Sequence, residues 1–257
     1  CMGDQPDGYL TLGEKARVAK VTAKDAREYW KEQTLQPWVL ADCGTYDKED
    51  ILAGVEKLPI PAKKEKALPE PHWGADKELD LKLPDRNQAH LMLVFPTVGY
   101  GAEDEPGLDL LQNILAGQSG LLFRDLRDKQ GLGYTVTAFP WKTQKTGALI
   151  FYIGTEPDKM EQAEKGFFEV ISMLQNDLLP EDELERGKNQ MQGDYYREHQ
   201  SLSSRSGEAA VLTVLGQPLD AARKLVEKAG EVDAKALQNL SKTYLQPEKA
   251  YTVKVLP

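Results

Sequence analysis

Apolar residues recur at helical spacing along much of the chain. The clearest pattern spans residues 160–178, where an apolar side chain recurs every three or four positions. Its members are Met160, Ala163, Phe167, Ile171, Leu174 and Leu178. Leucines at 108, 111 and 115 with Ile114 predict a second amphipathic helix that ends at Gly117. Weaker patterns with polar caps predict further helices at 22–34, 47–57, 119–131, 184–200, 204–215, 218–229 and 233–244.

Other segments have the patterns of β-strands. In residues 89–98 both alternating sets of positions are apolar, which predicts a strand covered on both faces. Residues 134–139 and 148–154 flank the polar segment WKTQKT, a length that suits an antiparallel hairpin. Short apolar segments predict two more strands, at 38–41 and 251–255.

One layout of residues occurs twice, about 211 positions apart. VTAKDAREYWKEQTLQP at 21–37 and VDAKALQNLSKTYLQP at 232–247 each contain a capping residue, a helix and Leu-Gln-Pro before a strand. Between them, residues 59–75 are rich in proline and lysine and have no apolar period, which is typical of a linker. We therefore predict the closing helix, strand and helix of a preceding module at 1–60, a linker at 61–75 and a complete domain at 76–257.

Composition excludes several classes of protein. The formal net charge of -9 and pI near 5.0 argue against a nucleic-acid-binding protein. Two cysteines, Cys1 and Cys43, allow neither a disulfide framework nor a thiolate metal site, and Cys43 is predicted to be a small core residue. Apolar runs are too short for a membrane span. An alternative for Cys1 is acylation in a bacterial lipoprotein, although no lipobox is visible upstream of it.

The sequence offers no set of residues that predicts a metal site or a nucleophile. Its three histidines, His72, His90 and His199, are far apart, and neither HExxH nor HxxEH occurs. Glu198 and His199 could form half of a zinc motif, but a second histidine at helical spacing is missing. A serine nucleophile motif of the type GxSxG is also missing.

The segment FRDLRDKQGLGY, residues 123–134, contains the best candidates for a binding site. It joins a charged helix to a strand through Gly-Leu-Gly and places Arg127 and Tyr134 seven residues apart. A guanidinium can donate to a peptide carbonyl, and a phenol hydroxyl can donate to a developing oxyanion. The same residues also fit a structural interpretation, a solvated arginine and a tyrosine at the edge of the core, and chemistry alone leaves both open.

A longer run around this segment resembles a known family. GLDLLQNILAGQSGLLFRDLRDKQGLGYTVTAF is similar to the C-terminal domains of the insulinase, pitrilysin and mitochondrial-processing-peptidase family of zinc peptidases. Members have a Gly- and Ser-rich turn followed by F-x-x-L-R-x-x-x-x-L-x-Y. The matching positions here are Phe123, Leu126, Arg127, Leu132 and Tyr134. The resemblance covers about residues 21–257.

The resemblance implies an α+β fold of the LuxS/MPP type, with a mixed or antiparallel sheet covered by helices. It also implies a division of labour in which zinc is bound by a partner module or subunit and this chain binds none. Arg127, Gly133 and Tyr134 would then contact an extended peptide substrate, and Arg127 and Tyr134 would assist catalysis.

On its own the chain is expected to be inactive, since it lacks HxxEH. The alternatives are a structural or scaffolding subunit and a peptide-binding module of the same fold. The expected setting is a soluble protein of the bacterial cytoplasm or periplasm.

Overall fold

The described part of the chain divides into two units. The structure is a computed structural model that describes residues 1–58, 67 and 69–257. The larger unit comprises Cys1–Met2, Pro71–Arg197 and Asp220–Pro257, and the smaller comprises Gly3–Glu70 and Glu198–Leu219. Part of the predicted linker, residues 61–66 and 68, lies outside the described residues. The predicted domain boundaries therefore stay a prediction.

A mixed five-stranded sheet is the framework of the larger unit. Its strands are β1 (Glu78–Lys82), β2 (Ala89–Thr97), β3 (Gly133–Lys142), β4 (Gly147–Thr155) and β5 (Tyr251–Leu256). Their order is β1-β5-β2-β4-β3; β1 is parallel to β5 and the other pairs are antiparallel. The predicted mixed α+β class and the β3–β4 hairpin are confirmed. Sequence analysis missed β1, a five-residue edge strand whose residues are all exposed, although its charges alternate with leucines.

Helices of the larger unit lie mainly where periodicity predicts them. They are α4 (Glu105–Leu115), α5 (Met160–Asn176), α6 (Glu181–Glu198), α8 (Ala221–Glu231) and α9 (Ala234–Tyr244). Two details differ from prediction. Leu178 lies beyond the end of α5 and is exposed. The helix predicted at 119–131 is chiefly a π-helix, Phe123–Lys129, and Ser119 accepts a hydrogen bond from Arg186.

The main core lies between one face of the sheet and the helices. Phe151 of β4 is fully buried between Phe95 of β2 and Phe167 of α5, with ring centroids 5.5 and 5.6 Å away. Each such ring contributes about 1.5–3 kcal/mol by burial. On the other face a smaller cluster surrounds Val94 and Tyr251. Both faces of β2 are thus covered, as its two apolar sets predict.

The smaller unit contains α1 (Lys15–Val18), α2 (Ala23–Gln33), α3 (Lys48–Val55) and α7 (Leu202–Val214). No residue of α1, α2 or α3 is buried, and Trp30 is 67% exposed. The strand predicted at 38–41 is wrong, because no strand lies beside this segment in the described residues to complete its hydrogen bonds. Cys43 is half-buried and outside the two apolar core clusters, so its predicted core position is also wrong.

The repeated layout gives two helices with the same start. In α2 the Thr22 hydroxyl accepts from the Asp25 amide within a capping box, and in α9 Asp233 accepts from the Ala236 amide. Their packing differs: α9 buries Leu237 among the core residues, whereas α2 buries none. Local sequence therefore determines the helix start, and tertiary context determines its burial.

Candidate functional site

The turn between the π-helix and β3 is held by backbone hydrogen bonds. Gly131 has φ +63°, a left-handed conformation that glycine adopts without a steric penalty. Its amide donates to the Arg127 carbonyl, and the Leu132 amide donates to the Leu126 carbonyl, each at 2.9 Å. The chain consequently leaves the helix and enters β3 within a few residues.

Buried side chains also hold this turn on its core side. Leu126 and Leu132 are buried, and both approach Gly166 of α5, where a side chain would meet Leu126 at 3.2 Å. The Thr155 hydroxyl, on β4, donates to the Leu132 carbonyl. The turn is therefore anchored to both a helix and a strand, and the side chains it presents start from a rigid base.

Gly133 permits a close crossing of β3 over β4. A Cβ at this position would lie 2.3 Å from the Gly154 carbonyl oxygen, which no side chain can tolerate without backbone movement. Directly after it the register shifts between Gly133 and Thr135, so Tyr134 occupies an irregular position in the ladder. Such bulges redirect a side chain. Tyr134 is 77% exposed.

Arg127 lies in the last turn of the π-helix, a form that is frequent at functional sites. Its guanidinium carbon is 4.4 Å from the centroid of the Phe123 ring, which orients the side chain. Among the described residues no carboxylate pairs with Arg127. Neighbouring Arg124, in contrast, contacts Glu183 at 2.6 Å. The guanidinium of Arg127 is thus available to a ligand.

Near the same helix, the Glu183 carboxylate forms ion pairs with both Arg124 and Arg186. Burial raises the pKa of Glu183, but hydrogen bonds from Arg124 and Arg186 lower it by a larger amount. The pKa of Glu183 is therefore below its usual value. Arg186 also donates to the Ile114 carbonyl. These groups hold α4, α6 and the π-helix together.

Sequence analysis missed a buried ionic cluster at the other end of β3. The Lys142 ammonium contacts Glu105 at 2.7 Å and Asp109 at 2.8 Å, and the three side chains are between 6% and 18% exposed. Glu105 also accepts from the Gly101 amide at 2.6 Å. The sequence does show two acidic residues four positions apart at the start of α4. That Lys142 is their partner follows only from the fold.

Burial and pairing oppose each other in this cluster. Burial raises the pKa of the Asp109 carboxyl, and Lys142 only partly offsets that rise. Burial lowers the pKa of Lys142, but the two carboxylates raise it by more, so the net direction is upward. Lys142 is therefore a charged structural residue at neutral pH and is not a candidate base.

The described residues contain no group of three or more His, Cys, Asp or Glu side chains able to hold a metal ion. His90 Nδ1 lies 2.9 Å from the Tyr152 hydroxyl, and His199 Nε2 lies 3.0 Å from a Glu208 carboxylate oxygen. None of the helices in the described part of the chain combines the length and the hydropathy needed to cross a membrane. The compartment remains a prediction.

Comparisons with known proteins show the family of the chain. A sequence model of the family described as "peptidase M16 inactive domain" matches residues 21–191. The chain is 27% identical over 247 residues to an uncharacterized zinc protease, YmxG, of Bacillus subtilis, covering 93% of this chain and 59% of that protein.

Two solved structures show a similar fold. One is a peptidase M16 inactive domain from Pseudomonas fluorescens, with TM-score 0.81, and the other a protease from Helicobacter pylori, with TM-score 0.79. Each is 18% identical to this chain, and the match covers 96% of this chain and 61% of the solved one. The chain thus spans about three fifths of the length of these relatives.

Proposed function

Because the chain belongs to the family of peptidase M16 inactive domains, we propose that it is the substrate-side half of a zinc endopeptidase. Its partner would be a zinc-bearing module of the same family, on the same polypeptide or on a second subunit. The observation that carries the proposal is the pair of available groups on one anchored turn. Arg127 has no carboxylate partner among the described residues, and Tyr134 is displayed by a bulge.

The two side chains suit an extended peptide. Arg127 offers several donors in a planar array, which fits the carbonyl groups of a peptide backbone. The Tyr134 hydroxyl can donate to the oxygen that becomes negative as a carbonyl is attacked. Activation of the attacking water is the chemistry expected of zinc on the partner.

Rigidity of the turn is part of this proposal. A donor stabilises a developing charge best when it is already in position, since reorganisation during the reaction is then avoided. Gly131, Gly133 and the Thr155 hydroxyl hold the backbone that carries the pair. Tyr134 is exposed and Arg127 is half-buried, whereas Leu126 and Leu132 beneath them are buried.

The test is Tyr134→Phe in the assembled enzyme. Loss of one oxyanion donor lowers kcat by about a hundredfold or more, with a smaller change in KM. Arg127→Ala should chiefly raise KM, because it removes a contact made to the bound peptide. Tyr196→Phe is the matched control, since Tyr196 is a 62% exposed tyrosine outside the turn.

Wild-type turnover by Tyr134→Phe would remove the oxyanion role. Peptidase activity missing from every assembly, although zinc and partner are present, would favour the scaffolding alternative. Peptide binding without cleavage would favour a peptide-binding module.

A further inference from the structure

The π-helix carries three cations whose partners differ in charge. The Arg124 guanidinium contacts the Glu183 carboxylate at 2.6 Å, and the Lys129 ammonium forms an ion pair with an aspartate of the same helix. Arg127 instead lies over the ring of Phe123, with its guanidinium carbon 4.4 Å from the ring centroid. Within the part of the chain that the structure describes, Arg127 is thus the cation of this helix whose partner is uncharged.

An uncharged ring leaves the hydrogen-bond donors of Arg127 free. A carboxylate commonly binds a guanidinium through two parallel N–H···O bonds, so that those donors are taken and the charge is offset. An aromatic ring attracts a cation through the negative face of its π-system and does not accept such a pair of bonds. The N–H groups of the Arg127 guanidinium therefore stay available to the carbonyl oxygens of a peptide. Arg124, in contrast, is engaged by Glu183.

Phe123 is itself well placed to support this side chain. It lies four residues before Arg127, so the two side chains project from the same side of the helix. Its neighbours Leu122 and Leu126 are fully buried and attach this part of the helix to the main core. Phe123 and Arg127 are both half-buried, and a cation–π contact strengthens as water is removed from around it.

The ring contact bears on binding through the conformational entropy of the arginine side chain. A free arginine populates many rotamers, and fixing them when a peptide binds costs free energy. A contact that already limits these rotamers in the unbound protein reduces that cost and so improves affinity. Hydrogen bonds of the turn fix the backbone at Arg127, and the Phe123 ring restricts the side chain that this backbone carries.

We infer that Phe123 is a positioning residue, which restrains the Arg127 side chain and leaves its N–H donors to a peptide substrate. The inference rests on the proposed function, because Arg127 is the residue that contacts the peptide there. Phe123 acts through Arg127 and makes no contact of its own with the reacting atoms. Its effect should consequently depend on the presence of the arginine.

The test is Phe123→Leu in the assembled enzyme, a change that keeps an apolar side chain and removes the ring face. The substrate is a quenched fluorescent peptide, selected from a random library for cleavage by the unaltered enzyme. KM should rise about three- to tenfold, the scale of fixing one side chain on binding, and kcat should stay within about twofold. A purely structural role gives a different pattern, since loss of folded enzyme lowers the apparent kcat and leaves KM unchanged.

Two further variants serve as controls for the loss of the ring. Phe123→Tyr retains the aromatic face and should keep KM within about twofold of the unaltered value. Phe139→Leu is the matched control, because Phe139 is a 37% exposed phenylalanine on β3, outside the turn, and its replacement should leave KM unchanged.

A double variant separates an effect through the arginine from one that bypasses it. In the Arg127→Ala background, Phe123→Leu should raise KM no further, because the group that the ring restrains is gone. An additive rise, or an unaltered KM in Phe123→Leu alone, would overturn the inference. If Arg127→Ala still raises KM in that case, the proposed function stands and only this inference is removed. An unaltered KM in both single variants would remove the binding role of Arg127 as well.

Discussion

A cation lies near each end of β3, and the two have opposite environments. Before the start of the strand, Arg127 has no carboxylate partner among the described residues, and Tyr134 is exposed. At its end, Lys142 is buried between Glu105 and Asp109. A buried charge must be paired to be tolerated, whereas an unpaired donor that is only half-buried can still be hydrated and costs the fold less. The first end can therefore serve a ligand, and the second serves the fold.

The largest effect on stability is expected from Lys142→Met. It leaves Glu105 and Asp109 with no buried cation, and breaking such a pair costs about 3–5 kcal/mol in the free energy of unfolding. Arg127→Met should cost at most about 1 kcal/mol, the scale of its contact with Phe123. Urea denaturation of the two variants makes the comparison. Equal losses would show that the two ends do not differ as described.

The pH dependence of stability is the control for that result. Because the folded state raises the pKa of Lys142 above its usual 10.5, the stabilisation is complete below that pH and is lost as the pH rises through the folded value. Asp109, whose pKa is also raised, acts in the same direction at lower pH: the stability that its protonated form contributes below the usual value of 3.8 is lost as the pH rises through the folded value. Lys142→Met should therefore show a smaller alkaline decline than the unaltered protein, since burial also raises the pKa values of Tyr244 and Tyr251, which continue to contribute.

The second prediction concerns the backbone beneath the exposed end. Gly133→Ala would place a methyl group 2.3 Å from the Gly154 carbonyl oxygen, which requires the strands to separate. A loss of about 1–3 kcal/mol is expected, the usual cost of overpacking. Gly230→Ala in α8 is the control, because no atom lies within 4 Å of the added methyl group and a helix gains up to about 1 kcal/mol. Thermal unfolding of both variants measures the difference.

A neutral result for Gly133→Ala would mean that β3 can move away from β4 at its start. The rigid base proposed for Tyr134 would then be absent, although the side chain would still be exposed. The two ends of β3 would differ in charge pairing alone.

Features of the two ends of β3 that depend on residues close in sequence could be predicted, and those that depend on residues distant in sequence could not. The helix and turn around Gly131 follow from local patterns, and so does the β3–β4 hairpin. The π-helical form and the bulge at Tyr134 do not, because they depend on packing against Gly166 and on the close approach to Gly154.

The Lys142 cluster was missed for a related reason. Glu105 and Asp109 are four residues apart on one helix, a spacing that predicts only a common face. Their partner lies on a strand that the fold brings alongside. At 38–41 a strand was predicted that does not form. An apolar run has β propensity, but a strand also requires a neighbouring strand to complete its hydrogen bonds.

The smallest effect is expected from Gln112→Ala, on the helix that packs beside the middle of β3. Loss of its hydrogen bond to the Ala138 carbonyl should cost about 0.5–1.5 kcal/mol in the free energy of unfolding. Asn176→Ala is the matched control, because that side-chain amide donates to the Ser172 carbonyl within its own helix. Urea denaturation of both variants measures the difference, and equal losses would show that the contact from α4 adds nothing to the support of β3.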